Sequence, residues 1–378
     1  MKIVIFGLSI TSAWGNGHAT TFRALARALW KRGHRIVFFE RDQEWYASNR
    51  DLPDPSFCDV RIYSDWTKAL PSMRAQLGDA DVAVVGSYFP DGNEVISEVL
   101  ESRALKAFYD IDTPITLAKL RSGGAEYLRV EDVPEFDLYF SFTGGPALHE
   151  LESRFGARRA VPLYCSFDPE QYHFAPMAEY ACDLGYMGTY AADRQQKVET
   201  FFCVPARRLA DGKFILAGSQ YPDENHWPRN VRRIIHLNPR WHASFYSSSL
   251  LTLNVTRRDM VQAGYSPSVR LFEAAACGAT IISDDWQGLD TFLRPGREIL
   301  LPESSDDVIG YLKGMERSEI RRIGRNAQER VLAEHTSQMR AIEFENYVSR
   351  CAKTVSARPH RELSGSLPKH AKLMMPAS

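Results

Sequence analysis

The stretch SPSVRLFEAAACGATIISDD, residues 266–285, encodes a helix, a tight turn and a buried strand in succession. Ser266 is expected to cap the helix, and Pro267 suits a first turn, where a missing N–H costs nothing. Val269, Phe272 and Ala276 make an apolar stripe at helical spacing, and Gly278 supplies the stop. Ala279 to Ser283 reads as a short β-branched strand closed by Asp284 and Asp285. Arg270 and Glu273, three apart, are neighbours on the face beside that stripe.

Such a helix start suits a nucleotide diphosphate sugar. Its unpaired N–H groups and partial positive charge face a pyrophosphate, with Ser268 at the opening and Arg270 adding a bidentate fork. Glu273 is an acceptor-only carboxylate able to take both hydroxyls of a ribose. An Arg–Glu pair on a solvated helix is the plainer alternative.

Read onward, RLFEAAACGATIISDDWQGLDTFLRPGREILLP and the later EHTSQMRA resemble the C-terminal domain of CgeB/YkvP-like glycosyltransferases of the GT-B superfamily. The shared pattern is an R-x-F-E-A-x-A-C-G helix, a strand ending in acidic residues, a P-G-x-E turn and a late H-T-x-x-x-R. The resemblance implies two doubly wound Rossmann-like domains, a cleft between them and a last helix crossing back to the first domain. It also implies transfer of a sugar from a nucleotide diphosphate sugar to a hydroxyl acceptor, and a UDP-sugar is the donor expected.

The bulk properties agree with such an enzyme. At 378 residues the chain can bury two cores, and 44% hydrophobic with 25% charged residues is ordinary globular composition. A net charge of −1 gives no bulk attraction to nucleic acid or to an anionic membrane. The six cysteines are scattered without a C-x-x-C pair, which reads as reduced core thiols in a cytoplasmic protein. The opening KIVIFGLSI is too short for a signal peptide, and no apolar run approaches the ~18–20 residues of a membrane span.

Strands are expected at Lys2–Phe6, His34–Glu40, Ala80–Ser87, Ala104–Ile111, Phe136–Phe142 and Val161–Cys165, with helices at Thr21–Lys31, Val95–Ser102 and Ala147–Phe155 between them. That alternation defines an N-terminal, acceptor-side domain over 1–165. Ser166–Glu179 lacks periodicity and reads as the linker. A nucleotide-sugar-binding domain over 180–336 follows, then a crossing helix at 337–353 and a disordered tail at 354–378.

In the first domain GNGHAT, residues 15–20, matches the dinucleotide fingerprint poorly and has no P-loop lysine. Gly15 and Gly17 instead make a flexible loop that delivers His18 to a helix start. His18 is a candidate general base, oriented by Asp110 or Asp112; the alternative is a phosphate contact without proton transfer. Trp14 and Gly144 are placed on the acceptor side, since sugar rings stack on aromatics and glycine turns admit them; core packing is the plainer alternative for Trp14. On the donor side Gly188 and Thr189 can approach phosphate through backbone N–H groups. Arg257 is a counter-charge for the leaving diphosphate or a surface partner of Asp259. Asp285 is a sugar contact or a helix cap. Retaining relatives carry two glutamates eight positions apart; here the first position is Tyr265, so stereochemistry stays open. No metal and no cofactor beyond the nucleotide sugar are expected. Competing functions are a sugar-nucleotide epimerase or hydrolase, or a non-catalytic binding protein, on the same fold.

Overall fold

The computed structural model describes residues 1–14, 17–222 and 227–356. Its first sheet has seven parallel strands: β1 (Lys2–Phe6), β2 (Arg35–Arg41), β3 (Asp59–Tyr63), β4 (Val82–Gly86), β5 (Leu105–Asp110), β6 (Leu138–Ser141) and β7 (Ala160–Pro162). They run in the order β3-β2-β1-β4-β5-β6-β7. The second sheet has five, also parallel: β8 (Cys182–Met187), β9 (Phe214–Ala217), β10 (Val231–Ile234), β11 (Ser249–Asn254) and β12 (Thr280–Ser283). Their order is β10-β9-β8-β11-β12. Each order reverses once, between β1 and β4 and between β8 and β11, as in a doubly wound fold. The continuous apolar runs KIVIF and VAVVG are buried at every position, as strands covered by helices on both faces must be.

The stretch at 266–285 departs from expectation at its start. The helix spans Val269–Ala276 with Ser268 at its N-cap. Ser266 instead meets Thr143 of the first domain, hydroxyl to hydroxyl at 2.9 Å, and the Pro267 carbonyl accepts from the Cys165 thiol at 3.3 Å. Both residues are thus spent on joining the domains. Further elements lie outside the expected series: β3, the Trp66–Leu77 helix, the Arg258–Ala263 helix, and the Thr113–Arg121 helix where Thr113–Pro114 reads as a strand exit. The helical stretch beginning at Ala192 passes through a π turn over Glu199–Cys203.

One apolar cluster runs unbroken from the first sheet (Phe140, Leu163) through Phe167 and Tyr172 of the connecting segment to Phe272 and Ala275, and on to Phe344 and Val348. The H-T-x-x-x-R motif locks this junction. His335 stacks on Phe272 at 4.5 Å, its Nδ1 lies 2.6 Å from the Arg340 guanidinium, and the Ser337 N–H donates to the Phe167 carbonyl at 2.8 Å. The final helix, Ser337–Ser356, crosses to the first domain, where Phe344 stacks on Phe140 of β6. It reaches past the expected start of the tail at 354; residues 357–378 lie outside the described residues.

Candidate active site

The two reversal points face each other across a cleft of about 390 Å³ lined by both domains. Open α/β sheets bind ligands at this place, because the strand carboxyl ends and helix N-termini converge there.

On the C-terminal side, Asn254 ends β11 fully buried and organises the cleft floor. Its Oδ1 accepts from the Ser268 hydroxyl and from the Arg270 guanidinium, both at 2.8 Å. Its amide nitrogen donates to Ser283 at 2.9 Å. Behind it, the carboxylate of Asp284 takes the Thr256 N–H at 2.9 Å and the Lys197 ammonium at 2.7 Å. Arg270 is therefore held by Asn254 and the Met187 carbonyl, with its plane over the Tyr186 ring. Gly188 and Gly218 form the adjacent wall. A Cβ on Gly218 would lie 1.9 Å from the Gly188 carbonyl oxygen, so the exits of β8 and β9 meet backbone to backbone.

Glu273 sits one turn along the same helix, 5% exposed, and lines the cleft. Burial raises its carboxyl to about 7, while the Tyr172 hydroxyl and Arg270 draw it back. Tyr172, from the linker, also meets His242 Nδ1 at 3.2 Å, and His242 Nε2 lies 3.2 Å from the Leu237 carbonyl. Burial depresses His242 to about 4, so it is a neutral imidazole at pH 7.

On the N-terminal side the loop after β1 is fixed from behind. Glu40, wholly buried at the end of β2, accepts the N–H groups of Ile10 and Thr11 at 2.7 and 3.0 Å. Asp51, paired with Arg23, accepts the Ala13 N–H at 2.9 Å. The loop leads into the Gly17–Lys31 helix with His18 in its first turn. The His18 ring meets Tyr88 edge to face at 5.4 Å, and burial lowers its pKa to about 4. Tyr88 holds a left-handed backbone (φ 62°), an uncommon posture for a bulky residue, and donates to Asp112 Oδ2 at 2.9 Å. Burial pushes the Asp112 carboxyl up; Tyr88 and, from the other domain, Arg257 pull it down.

Of the residues singled out from sequence, His18, Gly17, Asp112, Gly188, Thr189, Arg257, Ser268, Arg270 and Glu273 line the cleft together. Asp110 does not. It is wholly buried, accepts from Tyr139 and Thr116 at 2.7 Å each, and rises to about 6 by burial. Those bonds turn it into the core, leaving Asp112 as the carboxylate on the His18 side. Asp285 is exposed outside the cleft, because the preceding Asp284 takes the inward position. Gly144 is buried at the domain junction, its N–H donating to the Tyr265 carbonyl at 2.9 Å. Trp14 lines a neighbouring hollow of about 240 Å³. Gly15 lies outside the described residues.

Cleft residues without a sequence signal are His242 and Arg194. The last is in the first turn of the Ala192–Val198 helix, donates to the Thr189 carbonyl, and leaves its Nε buried without a partner. Among the described residues no group of three or more His, Cys, Asp or Glu side chains is placed to share a metal ion. No described helix is long and apolar enough to cross a membrane.

Comparison with known proteins agrees with this geometry. Residues 194–346 match the model of a family described as glycosyl transferase-like. No curated protein matches the chain. Among solved structures, sucrose-phosphate synthase from Thermosynechococcus elongatus is 13% identical, with 94% of this chain and 100% of that one aligned at a TM-score of 0.66. HepE from Anabaena, in complex with UDP and glucose, is 13% identical over 93% of this chain and 100% of that one, with a TM-score of 0.65. An α-glucosyltransferase in complex with UDP-glucose and DNA is 14% identical over 92% and 99%, with a TM-score of 0.68. The fold is GT-B.

Proposed function

We propose that the chain is a glycosyltransferase that moves a sugar from a nucleotide diphosphate sugar, a UDP-sugar, to a hydroxyl acceptor. The observation that carries this reading is Glu273: a buried carboxylate that lines a cleft whose floor is a helix N-terminus and a fixed arginine. A ribose offers two adjacent hydroxyls to such a group, and a diphosphate offers the charge that the helix start and Arg270 match. Arg257 and Arg194 lie where they can meet charge developing on the leaving diphosphate. The UDP choice is supported by the UDP and UDP-glucose named with two of the similar structures.

His18, neutral at pH 7 because burial holds it to about 4, takes the acceptor proton, with its ring set by Tyr88 and Tyr88 in turn by Asp112. With His18 as base the displacement is a single in-line step with inversion. Residues 1–165 then serve the acceptor and 180–336 the donor. CgeB/YkvP-like membership is supported by the R-x-F-E-A-x-A-C-G and H-T-x-x-x-R motifs. A cytoplasmic setting is supported by six free cysteines, five of them buried. No cofactor beyond the co-substrate is required.

The test is a titration of UDP against Glu273→Ala. Affinity is expected to fall by ~1.5–3 kcal/mol, the worth of hydrogen bonds to a charged group. Unchanged affinity removes the ribose assignment.

A further inference from the structure

At the opposite end of the second sheet, where β8, β11 and β12 begin, lies a larger cavity of about 930 Å³. One wall is the Arg317–Glu334 helix, which presents Arg317, Arg321 and Arg325 to it, four residues apart and all exposed. At 1.5 Å per residue their Cα atoms stand roughly 6 Å from one another along a straight row. The ion pairs of that helix run elsewhere, between Arg322 and Glu319 and between Arg330 and Glu334. Lys213 adds a fourth cation. Two carboxylates, Asp183 and Asp211, stand against these four cations, and Asp183 also accepts the Lys213 backbone N–H at 2.8 Å. Phe174, 62% exposed, stands at the rim over Gly278.

We propose that this cavity binds an acidic glycan: the row of guanidiniums pairs with carboxylate- or phosphate-bearing sugars, and Phe174 takes the apolar face of one ring. The spacing suits one charge per sugar, and an aromatic face beside cations suits a carbohydrate. The proposal rests on the glycosyltransferase reading for its choice of ligand, while the site is separate from the cleft.

The experiment is calorimetric titration of the full chain with hexagalacturonate, a carboxylated hexasaccharide, with neutral maltohexaose and a hexameric oligothymidylate as comparisons. Binding of the acidic sugar alone is expected, at least tenfold weaker in Arg321→Glu and at least threefold weaker in Phe174→Ala, with UDP affinity unchanged in both. Absence of binding to the natural chain, equal binding by both variants, or equal affinity for the oligothymidylate would overturn it. UDP titrated against the same preparation reports on the nucleotide-sugar reading independently.

Discussion

Glu273 carries opposite demands. Folding buries it, which favours the protonated acid; holding a ribose by two hydroxyls requires the carboxylate. Tyr172, Tyr246, Arg270 and Cys277 face it, and only Arg270 among them brings positive charge. Its folded pKa of about 7 lies above that of an unfolded glutamate, so the folded chain holds an extra proton between the two values. The stability this contributes is complete below the unfolded pKa and is lost as pH rises through about 7. Glu273→Gln, which cannot ionise, should therefore gain on the natural chain by roughly 1–3 kcal/mol between pH 5 and 8, read from urea melts. UDP affinity should rise with pH across the same interval in the natural chain and stay level in the variant. His18 behaves differently, because at about 4 it is already neutral throughout that range. His18→Gln should lower kcat by about 10²–10⁴, the contribution of a general base, with UDP affinity within twofold. An unchanged kcat would reduce His18 to a phosphate contact. Glu273 and Arg270 were legible in sequence because a helical period and a turn signal place them on one face. Tyr172 was not, since it stands in a linker without periodicity, and His242 and Arg194 were not, since each opens a helix and gains meaning only from what folds against it.

Elements were legible in proportion to their burial. β1 is an apolar run that only a covered strand explains, and its expected bounds match. β3 reads DVRIY, an edge strand with no buried position, and gives no such run. The Trp66–Leu77 helix carries Pro71 in its interior, where proline argues against a helix. The donor wall was visible only as glycines; what it requires of them is spatial. Gly218→Ala drives a methyl to 1.9 Å from the Gly188 carbonyl, and backbone cannot yield as a side-chain tip does. Overpacking of that kind costs about 1–3 kcal/mol. Since it parts the exits of β8 and β9, UDP affinity should fall at least tenfold as well. Gly17→Ala, with nothing within 4 Å of the added carbon, should leave the melting temperature nearly unchanged. Differential scanning calorimetry of the pair separates crowding from loss of glycine flexibility.

At the scale of the molecule, the cleft has a fixed width only if something holds the two lobes together. Beside the shared apolar cluster, three further contacts among the described residues contribute. Tyr265, in a left-handed posture (φ 46°), wedges between Gly145 of the first lobe and Gly288 of the second, each of which would bring a Cβ to 2.4 Å from its ring. Ser266 meets Thr143. The last helix spans the joint, with Phe344 2% exposed against Phe140 and Glu345 bonded to Arg32 and His34 of the first lobe. These differ greatly in worth. A partly exposed ion pair such as Glu345 to Arg32 contributes at most about 1 kcal/mol, whereas emptying a buried phenylalanine site costs about 3–5 kcal/mol. Phe344→Ala should therefore destabilise the chain by that larger amount, and Glu345→Gln by less than about 1 kcal/mol. The place of the damage distinguishes a strap across two lobes from a cap on one. If the helix is a strap, hydrogen exchange in Phe344→Ala accelerates in the Gly17–Lys31 helix and in β6, which it covers. The strands β11 and β12, on the lobe it leaves, then keep their protection. Acceleration confined to those two strands would show that the helix belongs to the second lobe alone, and that the cleft is held by Tyr265 and Ser266 without it.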